Sequence, residues 1–79
     1  MNKNRKARFN DVVSFLESAK DELADIQSEE QDAFDALPKG LQISAKGDNM
    51  QEYINLIDDT MSKIDCVISF IDSHIINKK

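Results

Sequence analysis

The stretch MQEYINLIDDTMSKIDCVISFIDSHI, residues 50–75, places an apolar side chain at Met50, Ile54, Ile57, Met61, Ile64, Ile68, Ile71 and Ile75. Steps of four and three alternate along it without a break, which is the seam of a heptad helix. Beside it runs a patchier line with the same spacing, made of Tyr53, Leu56, Thr60, Val67 and Phe70. A helix with two such lines has more than one neighbour to satisfy.

The neighbour within the chain lies upstream. Phe9, Val12, Leu16, Ala19, Leu23, Ile26, Ala33 and Leu37 repeat the three and four spacing, with Glu30 as the polar intruder at its seam position. No proline or glycine interrupts them, so the pattern predicts one helix over residues 9–36, with Asp11 in its first turn. Pro38 stops it, because proline disfavours the helical conformation of the residue before it. Residues 37–48 then form a loop bracketed by Gly40 and Gly47, and Leu41 and Ile43 are expected to fold down over the end of the structure. Asp48 is the expected N-cap, with Gln51 three residues on, of a second helix over residues 49–76. Residues 1–8 read as a flexible basic tail and 77–79 as a short terminal tail.

Two helices of equal length and a short connection predict an all-α, antiparallel two-helix hairpin of coiled-coil type. Folding the chain back sets Leu37 against Met50, Leu23 against Ile64 and Val12 against Ile75, with the two seams in phase. The second apolar line then stays uncovered. Val13, Phe15, Tyr53, Leu56, Val67 and Phe70 are therefore the expected contact of a homodimer, two hairpins making a four-helix bundle.

Composition limits the alternatives. A chain of 79 residues buries too little surface to be comfortably stable alone. Cys66 is the single cysteine and His74 the single histidine, so neither an internal disulfide nor an ordinary zinc site can supply the missing stability. No cofactor, metal ligand set or catalytic group is expected. The Glu-x-x-His pairs of di-metal bundles are absent, and the adjacent acids Asp58–Asp59 and Glu29–Glu30 point about 100° apart on a helix. Cys66 reads as an unpaired surface thiol and His74 as a group at a helix C-terminus. No apolar run has signal or transmembrane length, so no membrane association is expected.

The net charge is −5, and it is unevenly spread. Lys3, Arg5, Lys6 and Arg8 open the chain, whereas seven acids and no base lie between Asp21 and Asp35. Aromatic residues do not interleave with the basic positions, so direct nucleic-acid binding is not expected. Asp21, Glu22, Asp25, Glu29, Asp32 and Asp35 form the expected partner-binding surface. Negative charge toward the C-terminal turns of a helix opposes the helix dipole, so local stability does not account for it.

The segment Glu29-Glu30-Gln31-Asp32-Ala33-Phe34-Asp35-Ala36-Leu37-Pro38-Lys39-Gly40-Leu41-Gln42, with Ser44-Ala45-Lys46-Gly47 and the isoleucine-rich helix after it, resembles small acidic helical-hairpin proteins of bacteriophage genomes. The resemblance covers roughly residues 21 to 60 and carries no established activity. It implies a phage or prophage origin and a place in the cytoplasm of the bacterial host. There the chain is expected to act as a non-enzymatic accessory protein or inhibitor that binds a host protein through its acidic surface. A self-assembling bundle or scaffold component of a larger phage complex is the alternative.

Ile64 sits mid-seam, so Ile64→Asp places an unpaired charge between the helices. The expected outcome is loss of helicity or of the oligomer, read by circular dichroism and by sedimentation; full helicity at unchanged mass would refute the seam.

Overall fold

The computed structural model describes residues 1–78 and is all-α, with no strand among them. Helix α1 spans Lys3–Asp35, α2 Lys39–Gln42 and α3 Ala45–Ile71, and a π-helical turn over Asp72–Ile76 continues α3. Lys79, the last residue of the expected tail, lies outside the described residues.

The expected basic tail is a correction. Helix α1 begins at Lys3, not Phe9, because Asn2 caps it: its Oδ1 accepts a hydrogen bond from the Arg5 N–H at 2.8 Å. Asparagine is among the best N-cap residues, and this cap adds two turns that the apolar periodicity does not mark. Asp11 consequently lies in the helix interior. The first turn holds no acid and the last turn no base; Lys3, Arg5 and Lys6 sit instead at the positive end of the dipole and Asp32 and Asp35 at the negative end.

After α1 the chain turns tightly. Ala36 N–H donates to the Asp32 carbonyl and Leu37 N–H to that of Phe34, each at 3.0 Å. Pro38 then opens α2, its carbonyl accepting from Leu41 N–H at 2.9 Å and Gln42 N–H at 3.0 Å. The Gln42 side chain reaches back to donate to the Phe34 carbonyl at 3.2 Å, a second bond to the oxygen that already accepts from Leu37 N–H. The expected loop is thus mostly helical, its residues shared between α2 and the first turn of α3. Leu41 and Ile43 do not fold over the structure; they are exposed, Ile43 at 84%.

Helix α3 starts four residues before the expected position, with Ser44 rather than Asp48 as its N-cap; Ser44 gives its hydroxyl to Leu41 O, and its carbonyl accepts from Asp48 N–H. This early start is what gives Gly47 its role. It is buried, and a Cβ built on it would stand 2.0 Å from the Gln42 carbonyl oxygen. The first turn of α3 crosses the backbone of α2 at a distance only glycine allows.

Helices α1 and α3 lie side by side in a particle of 58 × 16 × 12 Å. The length suits a helix of 33 residues at 1.5 Å each, about 50 Å. Bonds from α1 run from Lys6 Nζ to the Lys78 carbonyl just past the π turn at 3.3 Å, and to α3 from Lys20 to Asp65 and from Gln27 Nε2 to the Ile54 carbonyl and Asp58 Oδ1, both at 3.0 Å. Partner numbers fall as those of α1 rise.

The seam of α3 lies where its spacing puts it. Ile54 and Ile71 are buried at 8% and 7% exposure, and Met50, Ile57, Met61, Ile64, Ile68 and Ile75 are half-buried. The seam of α1 is rotated from the expected one. Phe9, Leu16, Leu23, Glu30 and Leu37 do turn inward, but Val13, Lys20, Gln27 and Phe34 alternate with them, in place of Val12, Ala19, Ile26 and Ala33, which are exposed. Phe34 is buried in place of the smaller Ala33 by this rotation, Val13 replaces its equal Val12, and the two polar residues find partners on α3. At the far end the π turn, closed by Asn77 N–H on the Asp72 carbonyl at 2.9 Å, fits one extra residue into the helix. Ile75 and Ile76 are both half-buried there.

The two glycines of the connection should respond oppositely to alanine. Gly47→Ala forces the Gln42 backbone away and should cost about 1–3 kcal/mol. Gly40 has open space around it within α2, so Gly40→Ala should be neutral or stabilise by up to about 1 kcal/mol. Thermal or urea unfolding of the two variants measures both.

Candidate protein-binding surfaces

With the inward positions of α1 and α3 fixed, the outward ones follow from the heptad. Val12, Ala19, Ile26 and Ala33 occupy the position just before each of Val13, Lys20, Gln27 and Phe34. Tyr53, Thr60, Val67 and His74 stand in the same relation to Ile54, Met61, Ile68 and Ile75. Phe15, Glu22 and Glu29 on α1, and Leu56, Lys63 and Phe70 on α3, lie one strip farther out on the same flank.

Of the expected dimer residues, Phe15, Tyr53, Leu56, Val67 and Phe70 are exposed, Phe15 at 72%. Val13 is a correction: it is half-buried in the α1 seam, and its neighbour Val12 is on the exposed strip instead. The Thr60 hydroxyl donates to the Leu56 carbonyl at 2.7 Å, a local bond that leaves the methyl group of Thr60 to join the apolar strip. A cleft of about 510 Å³ opens at the start of α1, lined by Met1, Arg5, Arg8, Phe9, Val12 and Phe15 among others.

The opposite flank is polar and internally bonded. Gln27 spans to Ile54 and Asp58, and Gln31 Nε2 donates to Asp35 Oδ1 at 3.0 Å. Lys20 pairs with Asp65 in the one ion pair among the described residues. The Asp65 carboxylate, bonded to the ammonium, raises the Lys20 pKa above its ordinary value, with smaller contributions from the charges of Glu17 and Asp21.

All six acids of the expected partner surface, Asp21, Glu22, Asp25, Glu29, Asp32 and Asp35, are exposed, and none takes part in an ion pair. They divide by heptad strip. Asp25 and Asp32 lie directly opposite the seam, with Asp21 and Asp35 beside them, whereas Glu22 and Glu29 border the apolar flank. Glu30 is half-buried at the seam position its spacing gives it.

Cys66 is free and exposed. His74 belongs to the π turn; its ring stacks on Phe70 with centroids 4.2 Å apart, and its Nδ1 lies 3.1 Å from the Phe70 carbonyl. A carbonyl only accepts, so Nδ1 carries the hydrogen in this contact. Among the described residues no three His, Cys, Asp or Glu side chains converge so as to hold a metal ion, and no helix is long and apolar enough to cross a membrane.

Sequence periodicity missed Lys20 and Gln27 as inward residues because it scores them as polar. The signal that finds them is pairing across the helices, with Asp65 and Asp58 at matching heights on α3.

Comparison with protein-family models, curated proteins and solved structures finds no match to this chain.

The Lys20–Asp65 pair predicts a pH dependence. A lysine whose folded pKa is raised contributes stability that is fully present below its unfolded value, about 10.5, and lost as pH rises through the raised one. The melting temperature gap between the wild-type chain and Lys20→Met should therefore hold steady from neutral pH to the lower alkaline range and close only above it; thermal melts across that series are the measurement.

Proposed function

We propose that this chain is an antiparallel helical hairpin that works by binding protein and performs no catalysis, its acidic helical surface engaging a basic site on a partner. The observation that carries this reading is the placement of Asp21, Asp25, Asp32 and Asp35. They occupy the outward face of α1 and none of them is in an ion pair, Asp21 alone acting on a nearby cation, Lys20, and those near the C-terminus of α1 oppose the helix dipole. The fold gains nothing from charge set there, whereas a cationic surface on another molecule does. Carboxylates at helical spacing along a rod also match a groove shaped for a phosphate backbone.

The biological setting rests on the resemblance of residues 29–47 to phage hairpin proteins. It makes the chain a phage accessory protein or inhibitor acting in the cytoplasm of the bacterial host, on a host protein of the defence or nucleic-acid-handling kind. The second reading, a self-assembling module of a larger phage complex, is favoured by the exposed apolar strip rather than by the acids.

The two readings separate by salt and by charge reversal. Capture of a host protein through the acids should weaken at least tenfold between low and high salt. Asp25→Lys with Asp32→Lys should abolish that capture while helicity stays at the wild-type level. Affinity capture from host lysate, with the retained protein identified by mass spectrometry and titrated against salt, makes the test; binding that survives both salt and reversal would move the function to the apolar strip.

A further inference from the structure

We propose that the apolar flank is covered by a second copy of this chain, related by a two-fold axis perpendicular to the long axis, so that the two α1 helices cross the interface antiparallel. The inference rests on the antiparallel hairpin proposed above and is independent of the acidic partner surface.

Three observations choose this occupant. The first is the thinness of the core: Ile54 and Ile71 are the buried hydrophobic residues, and no large side chain falls below 2% exposure. A compact chain of this mass exposes roughly 4,900 Å², whereas this one exposes 6004 Å². The second is extent. The flank runs along a face whose outline is 58 by 16 Å, enough for the roughly 800 Å² that each partner contributes to a stable interface. The large exposed side chains Val12, Phe15, Ile26, Leu56, Val67 and Phe70 all lie along it.

The third observation fixes the orientation. Read along α1, the two strips of this flank begin with Arg5 and Arg8, pass through Val12, Phe15 and Ala19, and end with Glu22 and Glu29 around Ile26. The stripe is cationic at one end, apolar in the middle and anionic at the other. Such a stripe is complementary to its own reverse. A two-fold axis near Phe15 and Ala19 brings Arg5 and Arg8 of each copy to Glu29 and Glu22 of the other, so that opposite charges meet at both ends of the stripe. A two-fold axis along the molecule would instead gather the arginines of both copies at one end, near Lys78, and would set Lys63 against Glu22 while leaving Glu29 without a counterpart. The cleft at Met1, Arg5, Arg8, Asp11 and Phe15, where two arginines outnumber one acid, is where the glutamate end of the second α1 lands.

The experiment uses the full chain in sedimentation equilibrium at micromolar concentration. Wild type should run at twice its 9.0 kDa mass. Arg5→Glu with Arg8→Glu, and separately Glu22→Arg with Glu29→Arg, should each weaken association at least tenfold; all four together should restore it, even where one pair alone also lowers helicity. In a Cys66→Ser background, Ala19→Cys should form a disulfide between copies on mild oxidation and Arg5→Cys should not. In the same background, Lys20→Cys with Asp65→Cys should join within one chain through a short bis-maleimide, which reports the hairpin alone. A wild-type mass of one chain, or a fourfold variant no better than its halves, overturns the proposal. Loss of the 20–65 link points instead to failure of the hairpin, and retained dimer mass in Asp25→Lys with Asp32→Lys shows the two surfaces to be separate.

Discussion

Everything in this molecule depends on one seam. Helices α1 and α3 meet along a single line of side chains, and a single line gives each residue a partner on one side only. Two isoleucines of α3 fall below a tenth of their free exposure and the remaining seam residues stay half-open. Hydrophobic burial worth roughly 25 cal/mol per Å² has to offset an ordering cost of roughly 1–2 kcal/mol per residue for the backbone. Two long helices touching along one stripe are poorly placed to do so. The features around the seam read as responses to that constraint. Polar side chains bridge one flank, a glycine lets α3 press against the connection, and the other flank keeps apolar surface available.

The flanks differ because of how α1 is rotated about its axis. With Val12, Ala19, Ile26 and Ala33 inward, both helices would have presented a seam that is apolar apart from Glu30. The rotation seen here trades those residues for Val13, Lys20, Gln27 and Phe34. Lys20 and Gln27 reach Asp65, Ile54 and Asp58, so the polar atoms admitted to the edge of the seam are bonded rather than stranded. The displaced residues line up with Phe15 beside the second strip of α3. One side of the pair is thereby closed by hydrogen bonds and the other left apolar.

This division explains what could be read from the sequence. The seam of α3 was legible in full, because six isoleucines and two methionines at three and four spacing admit one phase. Helix α1 carries two interleaved stripes that share Phe9, Leu16, Leu23, Glu30 and Leu37, and apolar counting prefers the wrong one since it penalises Lys20 and Gln27. The start of α1 was hidden because Asn2 acts by a side-chain cap and not by periodicity. The connection was hidden because α2 is one turn long, and because Gly47 is required by the approach of Gln42 rather than by a turn with positive φ. All six acids are exposed, since charged residues away from a seam stay in water whichever of the two phases the helix takes, whereas Val13 of the apolar set is half-buried.

The same division bears on the acids themselves. Had all six served one purpose, they would share one strip, yet Glu22 and Glu29 border the apolar flank while Asp21, Asp25, Asp32 and Asp35 face away from it. A helix end that opposes its own dipole costs a few tenths of a kcal/mol to about 1 kcal/mol per charge in water, and α1 carries such charges at both ends. Opposing charges at one end could be the residue of a single binding surface. Arg5 and Arg8 at the start of the apolar stripe and Glu22 and Glu29 farther along it carry opposite signs with apolar residues between, whereas the outward acids lie among serines on the face turned from the seam. Lys3, Arg5 and Lys6 at one end and Asp32 and Asp35 at the other are the charges that α1 sets against its own dipole, and packing along the seam requires none of them.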